Sequence, residues 1–178
     1  MLAEAIAGLG GEVDLVLVAH GNLPDQAACE RDAATALDAI RVNALSVVSI
    51  VTELANRMEA QGRGTLVVIG SVAGDRGRQS NYVYGASKAL VATFLQGVRN
   101  RLHRRGVRVV TVKPGFVDTP MTAHLRKGPL WASAQQVGAG IVAAAARGPD
   151  VVYLPRFWAA VMWVIRAIPE RIFRTLRL

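Results

Sequence analysis

Four short apolar runs, separated by longer stretches with helical spacing, constrain the fold of this chain more than any other feature. The runs cover residues 13–21, 65–71, 107–115 and 150–155, and Val, Leu and Ile dominate them. Continuous apolar runs of this length are typical of strands buried on both faces of a parallel sheet. Strands that alternate with helices imply right-handed crossovers, so the sequence predicts an α/β fold, a Rossmann-like parallel sheet with flanking helices.

Helical periodicity fills the intervals between these runs. The sequence predicts helices over residues 32–58, 81–103 and 133–147, then a helical tail from residue 156 that breaks near Pro169. Ser133 is a candidate N-cap for the third helix. The glycine-rich stretch "GLGGE" is expected to end a helix before the first strand. The residues between the third strand and Ser133, which include Pro120 and Pro129, are predicted to form a loop.

Composition limits the class of protein. The chain has 178 residues and 52% hydrophobic content, which suits one domain with a substantial core. A single cysteine, Cys29, excludes an intramolecular disulfide and a cysteine metal cluster, and it agrees with a cytoplasmic location. No window supplies the roughly 18 uncharged apolar residues that a membrane span needs, so none is predicted. No metal site is expected either.

The formal net charge is +8, and basic residues cluster at 99–108 and in the tail. We interpret the first cluster as a helix C-terminus, where cations stabilise the helix dipole. A basic surface of this kind also suits nucleic acid or anionic lipid. The sequence carries no RNA-binding or helix-turn-helix signature, so nucleic acid is not expected as a partner.

Tyr84 and Lys88 lie four residues apart in a predicted helix, which places both side chains on one helix face. A free tyrosine has a pKa near ~10, and a nearby ammonium lowers the pKa of a phenol by stabilising the phenolate. The pair therefore suits general acid–base chemistry. Tyr82 has Ala86 at the equivalent spacing, so we do not choose it as the acid.

Ser71 and Asn43 complete the candidate catalytic set. Ser71 follows a predicted buried strand, at the sheet edge where parallel α/β sheets bind ligands, and its hydroxyl can donate to a substrate oxygen. Asn43 lies within a predicted helix, where asparagine is unfavourable, and can anchor a water chain to Lys88. Taken singly, Ser71 also fits a turn or a helix cap, and Asn43 also fits a solvated position.

The order of these residues resembles the short-chain dehydrogenase/reductase family. Thirteen positions separate Ser71 from Tyr84, which is the usual spacing in that family, and "YGASKAL" and "VKPGFVDTPM" look like two of its segments. The resemblance implies that Tyr84 passes the proton, that Lys88 lowers the pKa of the phenol and holds the nicotinamide ribose, and that Ser71 orients the substrate oxygen. Asn43 would support the proton relay.

The resemblance also implies a cofactor, NAD or NADP, and a small-molecule substrate with a secondary alcohol or a ketone. The cofactor-binding residues that it implies are Gly21, Tyr84, Lys88, Pro114, Gly115, Val117 and Thr119, with Thr119 at the nicotinamide carboxamide. Members of the family suggest a homodimer or homotetramer built on the helices predicted at 32–58 and 81–103.

The sequence departs from the family pattern near its start. Only Gly21 of "VAHG" matches the family's Asn-Asn-Ala-Gly segment, and His20 replaces the alanine, as a novel acid or with its ring toward the cleft or solvent. No glycine-rich dinucleotide motif follows an apolar strand. The first predicted strand corresponds to the fourth of the family, so we expect an N-terminally truncated form. The alternatives to an enzyme are an inactive fragment without the cofactor-binding half and a peripheral membrane-binding module built on the basic tail.

The tail adds a narrower resemblance. "SNYVYGASKA", "MTAHLRKGPL" and "VIRAIPERIFRTLRL" look similar to decaprenylphosphoryl-2-keto-erythro-pentose reductases, which implies a polyprenyl-phosphate sugar as substrate and a role in cell-wall biogenesis. We divide the chain into a domain at 1–155 and a basic amphipathic tail at 156–178. Its apolar face comprises Trp158, Val161, Met162, Ile165 and Phe173, and its charges are Arg166, Arg171, Arg174 and Arg177. Such a helix suits peripheral contact with an inner membrane, or simply packs on the sheet or on a sister subunit.

Overall fold

The computed structural model describes residues 2–8 and 10–176. In chain order the elements are α1 (Leu2–Ala7), β1 (Leu15–Val18), α2 (Gln26–Arg31), α3 (Ala33–Ile40), a π-helical turn (Arg41–Leu45), α4 (Ser46–Gln61), β2 (Gly64–Ile69), α5 (Tyr82–Leu102), β3 (Val107–Pro114), β4 (Phe116–Asp118), β5 (Trp131–Ser133), α6 (Ala134–Arg147), β6 (Val151–Leu154), α7 (Trp158–Ala167) and α8 (Glu170–Phe173). Short 3₁₀ turns lie at Val72–Gly74, His103–Arg105 and Pro120–Thr122.

A parallel sheet in the order β1-β2-β3-β6 forms the centre of the fold. On one face, Leu66, Val68 and Val109 pack with residues of α4 and α5. On the other face, Val67 and Val110 pack with residues of α6. Helices on both faces explain why β2 and β3 are continuously apolar, and the predicted α/β class is confirmed.

The first strand departs from its prediction as a buried strand. Among residues 2–8 and 10–176, β1 pairs with β2 alone and forms an edge of the sheet. Val18 is buried, whereas Leu15 and Leu17 on the opposite face are 54% and 49% exposed. An apolar strand at an open edge is a site for further pairing. The apolar run was therefore a correct signal for a strand and a wrong one for burial of both its faces.

The helix predicted at 32–58 is continuous but changes its winding at the turn Arg41–Leu45. It ends at Gly62, which adopts the left-handed conformation with φ 74° and caps the carbonyls of α4. By length and composition the helical stretch Ala33–Gln61 is sufficient to cross a membrane, which the sequence prediction missed. That criterion does not separate a span from a core helix, and Val47, Val51 and Leu54 of this stretch are buried in the core.

Several short elements were not predicted. The region expected to be a loop after β3 contains β4 and β5, which pair in parallel with Phe116 opposite Trp131. Three-residue strands are too short to show a sequence period. Their pairing is set by contacts between residues that are distant in the sequence. The predicted N-cap is confirmed, since Ser133 accepts from the Gln136 N–H at 3.1 Å in a capping box.

The C-terminal segment packs on the domain. Trp158, Met162 and Phe173 are buried. Trp158 and Met162 form a cluster with Val72, and the partly buried Val161 and Ile165 pack against this cluster. The apolar face predicted to meet lipid therefore faces the protein, which favours the alternative that the tail packs on its own domain. The break at Pro169 is confirmed. Arg177 lies outside the described residues.

Arg76 binds the C-terminal segment to the rest of the domain. Its guanidinium donates to the carbonyls of Arg166 and Ile168 at 3.1 and 2.9 Å and to the Glu170 carboxylate at 2.6 Å. It also lies 4.1 Å above the ring of Phe173. Carbonyls at a helix C-terminus have no partner within the helix. Arg76 satisfies them at the end of α7 and joins α7 to α8.

Candidate active site

A cavity of about 280 Å³ opens at the carboxyl ends of the central strands. This is the edge where parallel α/β sheets bind ligands. Every residue assigned from the sequence to catalysis or to cofactor binding lines it: Gly21, Asn43, Ser71, Tyr84, Lys88, Pro114, Gly115, Val117 and Thr119. The structure thus brings together residues that lie up to 98 positions apart in the sequence.

Ser71 and Tyr84 are held by close packing between a 3₁₀ turn and a helix. Ser71 caps the turn Val72–Gly74 and accepts from the Ala73 N–H at 3.1 Å. A Cβ on Gly74 would lie 2.7 Å from the Lys88 backbone, and one on Gly85 would lie 2.8 Å from the Ala73 carbonyl oxygen. The two glycines therefore let α5 approach the end of β2 closely enough for the Tyr84 and Ser71 hydroxyls to interact.

Lys88 is buried, with 4% of its surface exposed, and its ammonium donates to the Ile69 carbonyl at 3.2 Å. The ammonium lies 5.7 Å from the centre of the Tyr84 ring. The predicted proximity of the two groups is confirmed. An ammonium has three N–H donors. Within the part of the chain that the structure describes, the ammonium makes this one hydrogen bond, which leaves donors that can serve a ligand in the cavity.

Burial, rather than the ammonium, dominates the titration of this pair. Desolvation raises the pKa of Tyr84 above its ordinary value, and the hydrogen bond from Ser71 lowers it in part. Desolvation also lowers the pKa of Lys88 to about 8. The net direction for Tyr84 is thus upward, and the lowering effect of Lys88 on the pKa of the phenol stays a prediction. Burial penalises the charged form of each group, because a phenolate or an ammonium loses its hydration in a low-dielectric site.

Asn43 lies in the π-helical turn and is fully buried. Its amide donates to the Asn22 side chain at 2.7 Å and to the Ala39 carbonyl at 3.0 Å, and its oxygen accepts from the Asn22 N–H at 3.0 Å. These bonds fix the loop after β1. Gly21 in that loop has φ 150°, and a Cβ there would lie 2.7 Å from the Asn43 side-chain oxygen. Only glycine fits this approach.

The turn after β3 forms the opposite wall. The Gly115 N–H donates to the Leu154 carbonyl at 3.0 Å, which holds the turn beside β6. A Cβ on Gly115 would lie 1.9 Å from Nε1 of Trp158, so the indole packs directly against this glycine. Thr119 begins a 3₁₀ turn, and its backbone N–H donates to Thr122 at 3.3 Å.

Comparison with known proteins agrees with this arrangement. A family model described as short chain dehydrogenase matches residues 1–130. The chain belongs to the short-chain dehydrogenase family. An uncharacterized oxidoreductase of Mycobacterium tuberculosis is 36% identical over 173 residues, which cover 97% of this chain and 70% of the relative. Another from Streptomyces coelicolor is 39% identical over 169 residues, or 93% of this chain and 66% of the relative.

Solved structures of short-chain dehydrogenases share the fold. A short chain dehydrogenase from Burkholderia cenocepacia J2315, in complex with NADP, superposes with a TM-score of 0.77. The match covers 94% of this chain and 74% of the other, at 22% identity. At this identity the likeness demonstrates the fold alone.

Sequence reasoning missed several residues of this short-chain dehydrogenase site. Arg78 and Asn81 line the cavity, and the buried Asn81 side-chain oxygen has no hydrogen-bond partner among residues 2–8 and 10–176. His20, which sequence reasoning did consider, lines the cavity as well, and its ring Nε2 lies 2.7 Å from the Ser46 hydroxyl. Because that hydroxyl donates to the Val42 carbonyl, the ring nitrogen is the donor. In the sequence, the one indication that Arg78 belongs to the site was its position between Ser71 and Tyr84.

Proposed function

We propose that this protein is an NAD(P)-dependent oxidoreductase that interconverts a secondary alcohol and a ketone. The observation that carries the proposal is the meeting of Ser71, Tyr84 and Lys88 in one cavity at the carboxyl edge of the sheet. A hydroxyl donor, a proton-transfer group and a buried cation are what carbonyl reduction needs in a site that excludes bulk water.

Each side chain has a distinct proposed role. The Tyr84 phenol donates its proton to the carbonyl oxygen during reduction and accepts it back during oxidation. The raised pKa of Tyr84 keeps the phenol protonated at neutral pH, as reduction requires. Ser71 donates a hydrogen bond to the same oxygen. Lys88 stabilises the phenolate once the proton has left, and Asn43 positions the loop of Gly21 above Lys88.

The residues fit a nicotinamide cofactor. Gly21 presents backbone without a side chain, and the buried Lys88 has N–H donors available for a ribose hydroxyl. The turn of Pro114, Gly115, Val117 and Thr119 provides the wall for the nicotinamide. NAD or NADP would supply the hydride. The NADP complex of the related Burkholderia cenocepacia protein supports this class of cofactor.

Assembly and location are further parts of the proposal. Leu37 and Leu45 of the long helical stretch and Leu90 of α5 are exposed large apolar residues. They lie on the helices that the resemblance assigns to subunit contacts, so we propose a homodimer or homotetramer. We place the protein in the cytoplasm.

A polyprenyl-phosphate sugar is the narrower substrate hypothesis, and a membrane contact is the partner that accompanies it. With the predicted apolar face packed inward, the support for this contact narrows to Trp163, Val164 and Ile172, which are 74%, 54% and 54% exposed. Sedimentation with anionic vesicles tests the contact, with Trp163→Ser as the variant. If Trp163→Ser binds vesicles as well as the wild type does, this surface is not the membrane contact.

The test of the main proposal compares two tyrosines. Tyr84→Phe should lower kcat by roughly a hundredfold to ten-thousandfold, because it removes the proton donor. Tyr82→Phe is the matched control, since Tyr82 is 44% exposed and does not line the cavity. Titration of the chain with NADH and NADPH addresses the inactive-fragment alternative. Equal losses for the two variants, or no binding of either nucleotide, would contradict the proposal.

A further inference from the structure

Arg78 is a cation of the cavity wall without a partner. It lies in the segment that joins Ser71 to Tyr84, and its side chain lines the cavity. Within the described part of the chain, its guanidinium makes no hydrogen bond, ion pair or ring contact. Burial of the guanidinium lowers the pKa of Arg78, with no carboxylate to oppose the effect. A partly desolvated arginine in this state has unused binding capacity.

The neighbouring charges explain why Arg78 is left unpaired. Asp75 accepts from Lys113 at 2.5 Å and from the Tyr153 hydroxyl at 2.7 Å, and its side chain is only 3% exposed. Arg76 is bound to Glu170 and to the end of α7. The other two charged groups of this segment are thus engaged inside the domain, and neither reaches Arg78.

The cavity as a whole has positive charge and no compensating acid. Its charged lining residues are Arg78 and Lys88, and no Asp or Glu of the residues that the structure describes lines it. Much of the remaining lining is apolar, including Val117, Leu125 and Ile141. In such a low-dielectric cavity, a hydrogen bond between a guanidinium and an anion is stronger than one between neutral groups.

We propose that Arg78 binds an anionic group, a carboxylate or a phosphate, on the ketone or alcohol that Ser71 and Tyr84 act upon. This inference rests on the proposed function, because it assigns the cavity to that substrate. Arg78 enters from the same chain segment as Ser71 and Tyr84, whereas the wall assigned to the nicotinamide comes from residues 114–119. The planar guanidinium suits two-pronged recognition of either anion.

The test uses two matched pairs of ketones: acetoacetate with its methyl ester, and dihydroxyacetone phosphate with dihydroxyacetone. Binding is measured by isothermal titration in the presence of NADP⁺ for the wild type, Arg78→Gln, Arg78→Lys and Arg31→Gln. Arg31 is exposed on α2 and does not line the cavity, so its substitution removes the same charge elsewhere. The pair with the larger preference identifies the anion.

We expect the wild type to bind the anionic member of at least one pair roughly ten- to a hundredfold more tightly than the neutral member. Arg78→Gln should abolish that preference, Arg31→Gln should keep it, and Arg78→Lys should retain only part of it because lysine lacks the planar fork. Circular dichroism checks that each variant is folded. If Arg78→Gln does not fold, the wild-type preference and Arg78→Lys still decide the question.

Three results would overturn the inference: equal binding of charged and neutral ketones by the wild type, equal losses in Arg78→Gln and Arg31→Gln, or an effect of Arg78→Gln on NADP⁺ binding alone. Parallel mixtures with NADPH in place of NADP⁺ supply the hydride that ketone reduction consumes, and the loss of NADPH absorbance in them reports turnover separately. Turnover of neutral ketones without an anion preference contradicts the inference and keeps the proposed function. Arg78-dependent anion binding without any turnover supports anion binding by Arg78 and contradicts the proposed function.

Discussion

At the scale of single residues, Lys88 shows how burial sets the chemistry of this site. An exposed lysine keeps its charge well above neutral pH, whereas desolvation brings the pKa of Lys88 to about 8. The folded protein therefore holds a cation that it can release close to physiological pH. Tyr84 shifts in the opposite sense for the same reason, because burial penalises the charged form of either group.

This shift predicts a pH dependence of stability. Between pH 8 and 10.5 the unfolded chain keeps a proton on Lys88 that the folded protein has lost, so the free energy of unfolding rises with pH. We expect the Lys88 contribution to be roughly 2 to 3 kcal/mol over this interval. Urea denaturation across the interval should show this rise in the wild type and not in Lys88→Met. Lys127→Met, at an exposed lysine, is the control. A rise of equal size in both variants would contradict the assignment.

At the scale of elements, the C-terminal segment supports the active-site wall. Trp158 of α7 lies against Gly115, and its ring also meets Phe116 edge to face with centroids 5.6 Å apart. Phe116 in turn stacks on Trp131 of β5 at 5.4 Å. These aromatic contacts join α7 and the β4–β5 sheet to the turn after β3. The tail is therefore part of the structure that holds the cavity.

Gly115→Ala tests this contact. The added Cβ would overlap the indole of Trp158, and overpacking of this kind costs about 1–3 kcal/mol of stability. Gly77→Ala is the control, because no atom lies within 4 Å of its Cβ position. Thermal denaturation of both variants measures the difference.

The double variant Gly115→Ala with Trp158→Leu isolates the pair. It should lose less stability than the two single variants together, because the smaller side chain makes room for the methyl group. Strictly additive losses would show that the two positions do not compete for space.

At the scale of the whole molecule, exposed apolar surface is the basis for the proposed self-association. Leu37 is 59% exposed and Leu45 is 51% exposed, both on the helices proposed as the subunit contact. Light scattering after gel filtration should report a dimer or tetramer, and Leu37→Glu with Leu45→Glu should shift it toward the monomer. Val142→Glu on α6, where Val142 is 70% exposed, is the matched control. A monomeric wild type would contradict this proposal.

The sequence by itself determined the α/β class, the four strands of the main sheet, the main helices and the family. Apolar runs and helical spacing arise from local burial, and the Ser71, Tyr84 and Lys88 spacing is a property of one continuous segment. The cap at Ser133 and the break at Pro169 were predicted for the same reason, because capping and proline geometry act over a few residues.

Only the tertiary structure decided the rest. The raised pKa of Tyr84 was not predicted, since desolvation depends on atoms from distant segments. The β4–β5 sheet, the exposed face of β1 and the inward packing of the tail each depend on which surfaces meet. Arg78 became a candidate for the same reason: its missing partner is visible only once Asp75 is seen bound to Lys113 and Tyr153. Local pattern specifies elements, whereas charge and solvation in a site depend on all its neighbours.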